Sequence, residues 1–313
     1  MTFGCRIPNR GPLATPENLR TVATRAEELG FDHAWVSDHI IIPTEVSSSY
    51  PYSATGASPF DADLPYCEPL AAIGYLAGCT QRIKLGTHVL VVPYREPILT
   101  AKIVSTLDYM SEGRVILGVG VGWMEEEFKT LGLNTFAERG RVTDEYLRIF
   151  KELWTKDDPE YQGSYGRFSG IKFSPKPAQS PHPPIWIGGH TPAALRRAAQ
   201  LGDGWMPIGL RPPAELEPEE MADLIDRLRD LTEKAGRPRE AVDVIFSTDL
   251  HFDSPADGPR RTMAGTTEEI GADIVLYQQV GVEHFTFEFG GNSVEQLLEN
   301  MERFAKDVRP QVE

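Results

Sequence analysis

Residues able to do chemistry sit at a few short, separated places in this chain. Asp38 and His39 follow the run Ala34-Trp35-Val36-Ser37, a carboxylate beside the one side chain that titrates near neutrality. Such a pair can bind the polar edge of a ring or move a proton, although an aspartate there also caps turns. His88 lies in Thr87-His88-Val89-Leu90. Simple alternation groups it with Lys84, Gly86 and Leu90, and puts Leu85, Thr87 and Val89 on the other face. Gly118, Gly120 and Gly122 fall at every second position, so three missing side chains share one face. Glycine in a strand marks close approach by another group, here room for a flat, bulky ligand. A dinucleotide fingerprint is excluded, because Trp123 stands where GxGxxG needs its last glycine. Gly188-Gly189-His190-Thr191-Pro192 reads as a turn into a helix, with Thr191 as N-cap and Pro192 at the first helical position. Backbone N–H groups there meet the positive end of the helix dipole, a ready phosphate site. Glu125, Glu126 and Glu127 read as an acidic first helical turn complementing a dipole, not as catalysts. Arg6 and Glu288 end two further strands and could point into a barrel mouth, but salt bridges or solvation are expected for both.

The elements that must position these residues alternate between short β-branched runs and amphipathic helices. Strands are expected at Thr2 to Ile7, His33 to Ser37, Ile83 to Val91, Arg114 to Gly120, Pro184 to Ile187, Gly204 to Pro207, Val242 to Thr248 and Glu283 to Glu288. Helical spacing runs through Leu19, Val22, Ala23, Ala26 and Leu29, and again through Val142, Tyr146, Ile149, Phe150 and Leu153. The clearest stripe is Val294, Leu297, Leu298, Met301, Phe304, Ala305 and Val308. Eight strands separated by helices argue for parallel crossovers closing into a (β/α)8 TIM barrel, with a doubly wound open sheet as the alternative. Two inserted segments interrupt the repeat. Ile40 to Tyr66, after strand 2, is expected to be functional, because barrel sites form at the C-terminal ends of strands. Asp157 to Pro183, before strand 5, receives no assignment.

Composition limits the function classes. The 313 residues suit one large barrel, and no linker divides them, so 1–313 reads as a single domain. A formal net charge of −15 repels phosphate backbones and anionic lipid, which argues against nucleic-acid and membrane partners. No apolar run approaches the roughly 18 residues of a spanning helix, and the first residues lack a signal peptide's apolar stretch. Cys5, Cys67 and Cys79 have no CxxC spacing, so a reduced cytoplasmic protein without a metal site is expected. Walker A, HExxH and GxSxG strings are absent from the sequence.

Longer strings carry a family likeness. "RIKLGTHVLVVPYREPILTAKIVSTLDYMSEGRVILGVGVG" (Arg82 to Gly122) with Trp123 resembles the bacterial-luciferase-like superfamily. So do "GFDHAWVSDH" (Gly30 to His39), "RGRVTDEYLRIFKELW" (Arg139 to Trp154) and "PPIWIGGHTPAALRRAAQLGDGW" (Pro183 to Trp205). The likeness covers about residues 1 to 205 and is nearest to the oxidoreductases that use the deazaflavin coenzyme F420. It implies a barrel, often a homodimer, binding a flavin or deazaflavin at its C-terminal mouth. By that likeness Asp38 and His39 lie near the deazaflavin ring, and His88-Val89 is a non-prolyl cis peptide that backs it. Gly120 and Gly122 become close-approach glycines, while Gly188, Gly189, His190 and Thr191 form the phosphate turn. One departure matters: some deazaflavin sugar-phosphate dehydrogenases place a proton-donating glutamate where Trp123 stands. The resemblance therefore implies another substrate, apolar or aromatic and stacking on Trp123, a reading that Tyr50, Tyr52, Phe60 and Tyr66 support.

The expected function is hydride transfer between coenzyme F420 and a small organic molecule, with His39 as the catalytic acid and no metal. Two alternatives keep the fold. One is an FMN-dependent luciferase-like monooxygenase, and the other a flavin-binding barrel without catalysis.

Overall fold

The computed structural model describes residues 1–252 and 260–312. In chain order its elements are β1 (Thr2–Arg6), α1 (Pro16–Glu28), β2 (His33–Val36), α2 (Pro69–Cys79), β3 (Lys84–Thr87), β4 (Leu90–Val91), α3 (Pro97–Met110) and β5 (Val115–Gly120). There follow α4 (Glu125–Thr130), α5 (Arg139–Thr155), the two-residue strands β6 (Tyr161–Gln162) and β7 (Arg167–Phe168), β8 (Ile185–Gly188), α6 (Pro192–Leu201) and β9 (Gly204–Met206). The last are α7 (Pro218–Lys234), β10 (Asp243–Leu250), α8 (Thr267–Gln279), β11 (His284–Phe289) and α9 (Val294–Arg303).

Parallel pairing runs β1–β2–β3–β5–β8–β9–β10–β11 and returns to β1, which closes the sheet. The short β4 continues the β3 stave and pairs with the upper half of β5. Eight staves with helices outside them make the expected (β/α)8 barrel. Alternation sorts the side chains. Trp35, Ile116, Trp186, Met206 and Ile245 fill the interior, while their neighbours Ala34, Val36, Val115 and Leu117 pack outward against the helices. The helical stripes do the same from the other side: Leu19, Val22, Ala23 and Ala26 of α1 are buried, as are Val142, Ile149, Phe150 and Leu153 of α5. The C-terminal stripe continues past α9 through a π-helical turn at Phe304–Val308, which keeps Phe304 and Val308 in the core.

The third stave departs from simple alternation. The His88–Val89 peptide is cis, and the strand is interrupted there. Beyond the interruption the pattern steps over by one residue. Val89 joins His88 on the inner side, next to the interior cluster, and Leu90 turns outward into the main core. This corrects the expected grouping of His88 with Leu90 and of Val89 with the opposite face.

The strand glycines are also explained differently from the expectation. A Cβ at Gly118 would collide with the Thr87 carbonyl oxygen and lie 2.8 Å from Met206 Cε. One at Gly120 would lie 2.5 Å from Val89 Cγ2, and one at Gly188 would lie 2.8 Å from Val89 Cγ1. The space these glycines leave is filled by the third stave itself. Thr87 Oγ1 also donates to the Gly118 carbonyl at 2.6 Å.

The two inserted segments take different positions. Residues 40–66 contain no helix or strand and lie across the C-terminal ends of the staves. Residues 157–183 carry the β6–β7 hairpin, whose turn is held by the Glu145 carboxylate accepting from the N–H groups of Ser164, Tyr165 and Gly166. That second segment contributes nothing to the mouth cavity. Among the described residues no helix is long and apolar enough to cross a membrane.

Gly118→Ala is expected to lower stability by about 1–3 kcal/mol or more through overpacking against backbone. Gly78→Ala supplies a control of opposite sign, since Gly78 lies inside α2 with open space at its Cβ. There the substitution is expected to raise stability by about 0.5–1 kcal/mol. Urea midpoints of the two variants check both signs.

Candidate active site

The C-terminal ends of the staves surround a cavity of about 470 Å³. Its wall includes Asp38, His39, His88, Val89, Gly120, Gly122, Trp123, Gly188, Gly189, His190 and Thr191. Sequence positions up to 153 residues apart therefore meet at one place, because each ends or follows a stave.

His39 is oriented by Glu127, one of the three glutamates that the sequence assigned to a helix dipole. Its Nδ1 lies 2.5 Å from Oε2 of Glu127, which is fully buried at the first turn of α4. Glu127 also accepts from the N–H groups of Ile40 at 2.7 Å and Ile41 at 3.2 Å, and from the Tyr94 hydroxyl at 2.9 Å. A carboxylate only accepts, so His39 Nδ1 donates and Nε2 is left to give or take a proton. Nε2 has no hydrogen-bond partner among the described residues, and the ring faces Phe60 and Tyr66 at centroid distances of 4.5 and 5.5 Å. The dipole explanation for the three glutamates is thus incomplete. Glu126 holds Ser47 and Ser48 of the first inserted segment, and only Glu125 stays on the surface with Lys129.

Asp38 has a different role from the one its neighbour suggests. Both carboxylate oxygens accept from Arg95, at 2.7 and 2.8 Å, and Oδ2 also accepts from the Val91 N–H at 2.8 Å. The side chain lines the cavity but is occupied in bracing β4 against the end of β2. Removing one member of such a buried pair typically costs about 3–5 kcal/mol.

Aromatic rings form the roof. Phe60 and Trp123 lie nearly parallel, 27° apart with centroids at 6.3 Å, and Tyr50 meets Trp123 edge-on at 5.1 Å. The Tyr66 hydroxyl donates to Ser37 Oγ at 2.7 Å. Burial pushes the Tyr52 and Tyr66 hydroxyls well above the usual phenol range, so both stay protonated.

The β8–α6 turn forms the opposite rim. Gly189 adopts φ +93°, a left-handed conformation that favours glycine. Its carbonyl accepts from Trp205 Nε1 at 2.8 Å, which fixes the turn. Thr191 caps α6 by accepting from the Ala194 N–H at 3.3 Å, as expected, with Pro192 in the first turn. His190 Nδ1 is buried without a partner among the described residues, and burial lowers that imidazole below its usual value. Arg139 donates to the carbonyls of Gly122 at 3.0 Å and Phe136 at 2.9 Å and has no carboxylate partner among the described residues. Arg197, by contrast, is paired with Asp144.

Four further arginines were not singled out as a group. Arg6, Arg10 and Arg211 gather around Glu288, and Arg95 holds Asp38. Burial alone would raise Glu288, but Arg6, Arg211 and Arg10 outweigh it and hold the carboxyl at about 2. Arg6 Nη1 lies 2.9 Å from His88 Nδ1. No local signal marks Arg10, Arg95, Arg139 or Arg211, which lie in loops or near helix starts and acquire their partners only through barrel closure.

Two buried histidines make stability depend on pH. Burial lowers His33 and His88 well below 6.5, and nearby cations add to the effect. The unfolded chain takes up protons below about pH 6.5 that the folded chain refuses. Stability is therefore full above that pH and falls as the pH drops toward the folded values. Each histidine contributes a slope of up to about 1.4 kcal/mol per pH unit. Urea unfolding at pH 7.5 and 5.0 is expected to show the loss, and His33→Gln to reduce the slope.

Comparison with known proteins agrees with this architecture. The luciferase-like monooxygenase family model matches residues 1–267. An uncharacterized protein of Mycobacterium tuberculosis is 32% identical over 288 residues, covering 92% of this chain and 93% of that protein. An F420-dependent glucose-6-phosphate dehydrogenase of Nakamurella multipartita is 31% identical over 271 residues, 86% of this chain and 72% of the relative. Among solved structures, a monooxygenase from Streptomyces bottropensis superposes with a TM-score of 0.76 at 23% identity, covering 99% of both chains. The F420-dependent tetrahydromethanopterin reductase of Methanopyrus kandleri gives 0.77 at 17% identity, covering 100% of this chain and 99% of that one. At such identities these structures speak for the fold alone. With its closed barrel, its mouth cavity and a family match over most of its length, the chain belongs to the luciferase-like monooxygenase family.

Proposed function

We propose that this protein is a coenzyme F420-dependent oxidoreductase that transfers a hydride between the deazaflavin and a small organic substrate. The observation that carries the reading is His39, held by Glu127 with Nε2 turned to a cavity whose rim has two unlike sides. The relatives named as F420-dependent, 31–32% identical, support the choice of cofactor.

The residues present fit such a group. Gly188, Gly189, His190 and Thr191 offer a turn at the N-terminus of the ten-residue α6, with an unpartnered buried His190 nitrogen. Arg139, without a carboxylate partner among the described residues, stands beside the same cavity and would meet a phosphate or carboxylate of the cofactor's tail. His88, Val89, Gly120 and Gly122 would border the ring, with Asp38 bracing that wall from behind. When bound, the deazaflavin supplies two-electron hydride chemistry. The protein binds it, orients it, excludes water under the aromatic roof and moves one proton at His39 Nε2. Glu127 acts through His39 as a positioning residue, fixing the ring and the nitrogen that carries the proton. Trp123 and Phe60 would face an apolar or aromatic part of the substrate. We further take the enzyme to work as a cytoplasmic homodimer of single-domain chains, with one barrel per cofactor.

The site is also compatible with FMN, since a phosphate turn serves either cofactor. Fluorescence titration separates the readings. Saturable binding of coenzyme F420 with much weaker binding of FMN is expected, and a preference for FMN would move the protein to the monooxygenase reading. Tight binding with no reduction or reoxidation across a substrate panel would leave only a binding protein. His39→Ala is expected to slow single-turnover hydride transfer by about 10²–10⁴ while leaving cofactor affinity unchanged. An unchanged rate would remove His39 from proton transfer.

A further inference from the structure

A buried guanidinium ordinarily has a matching anion. Among the described residues, the cavity wall beside β1 and β11 is one anion short. Arg6, Arg10 and Arg211 face Glu288, and Asp249 supplies a second carboxylate through Arg211, so three cations meet two anions. The shortage falls on Arg6. Glu288 lies 2.9 Å from Arg211 and 3.4 Å from Arg10 but 3.9 Å from Arg6. The nearest polar contact of Arg6 is instead the uncharged ring nitrogen His88 Nδ1 at 2.9 Å. Tyr66, the other polar group facing Arg6, directs its hydroxyl to Ser37.

Hydrogen bonding at this wall is short of acceptors too. Arg6 Nε is buried with no partner among the described residues. Arginine only donates, so His88 Nδ1 accepts and the ring proton sits on Nε2, which is likewise buried without a partner. A buried donor left unmet is destabilising. Both residues line the mouth cavity, and a second cavity of about 400 Å³ opens on Arg6 and Arg10 behind Phe60 and Tyr66. Arg10 lies over the Phe60 ring at 5.3 Å, in the partition between the two spaces.

We infer that Arg6 and His88 bind an oxyanion of the substrate, and that the substrate is a small organic acid with an apolar or aromatic body. The inference rests on the oxidoreductase reading of the same mouth and narrows its substrate class. β1 and β8 stand four staves apart in the ring of eight, so this anion site lies across the barrel from the turn assigned to the cofactor's phosphate. The acid completes the charge balance at Arg6 by pairing with its guanidinium where that side chain lines the cavity, beside His88. Its body lies against Phe60, Tyr66 and Trp123.

The test measures binding to the full-length protein by calorimetry, with benzoate, phenylacetate and 3-phenylpropionate each set against its own amide. At least one acid is expected to bind about 10- to 100-fold more tightly than its amide. Arg6→Met leaves Arg10 and Arg211 facing Glu288 and Asp249, two cations to two anions. It is therefore expected to fold with unchanged or higher stability, to lose the preference for acids and to keep coenzyme F420 affinity. Arg6→Lys is expected to restore part of the preference. If no acid outbinds its amide in the wild-type protein, the inference is overturned without recourse to any variant. It is equally overturned if Arg6→Met keeps the preference, melts well below the wild type, or loses coenzyme F420 binding, which would assign the anion to the cofactor. Failure of the wild-type protein to bind coenzyme F420 would instead count against the proposed function, while the acid-over-amide result would stand separately.

Discussion

The buried carboxylate of Glu127 ties the mouth of this barrel together. It lies at the first turn of a six-residue helix, too short to be stable alone, and accepts from four donors on two other segments. A carboxylate has about four acceptor sites, and here all are occupied, so a costly buried group becomes a rigid junction. Through it, the end of β2, the start of the first inserted segment and Tyr94 after β4 hold fixed positions relative to α4. The orientation of His39 follows, because its Nδ1 is one of the four donors. The aromatic roof depends on the same junction, since Ile40 and Ile41 begin the segment that carries Tyr50, Phe60 and Tyr66. Glu126, one residue earlier, secures that segment again at Ser47 and Ser48.

Beneath the roof, the floor is shaped by packing. Val89 enters the mouth only because Gly120 and Gly188, on two neighbouring staves, have no side chains to oppose it. Gly118 does the same for the Thr87 carbonyl one layer lower. These glycines belong to a close-packed interior, where a methyl group cannot be added without displacing backbone. The bidentate Asp38–Arg95 pair then holds the second half of the interrupted stave from outside. Floor and wall are thus set by contacts that no ligand needs to make.

The fold was legible because its signals are local and periodic. Each of the eight staves falls within about two residues of an expected strand, and the stripes on α1, α5 and α9 face the core as their spacing requires. The cavity-lining residues were legible for a topological reason, since strand ends in a closed barrel converge. What stayed hidden depends on pairing across the barrel. Glu127 sits in an acidic first turn that the helix dipole already accounts for, and nothing nearby marks it as the partner of His39, 88 residues away. Alternation could not show that the third stave steps over at Val89. The family likeness marked the cis peptide at His88–Val89, but the step itself shows only in the structure. The Arg6, Arg10, Arg211 and Glu288 cluster draws on three staves whose closure is the only thing that brings them together.

Charge distribution completes the physical picture. The chain carries a formal net charge of −15, yet five arginines line the mouth cavity against Asp38 alone among the acids of its wall. At separations beyond about 8–10 Å, salt screens the overall negative charge. Inside the cavity, where screening by solvent is weaker, the nearby guanidiniums dominate. An anion therefore meets little long-range attraction but strong short-range pairing, which favours selection at the site over steering toward it. The arginines also differ in what they can still do. Arg10, Arg197 and Arg211 each have a carboxylate of the chain within 3.4 Å, whereas Arg6 on one rim reaches Glu288 only at 3.9 Å and Arg139 on the other has no carboxylate partner among the described residues. A molecule or pair of molecules spanning the mouth, with a negative group at each end and an apolar middle under Trp123 and Phe60, satisfies both rims at once.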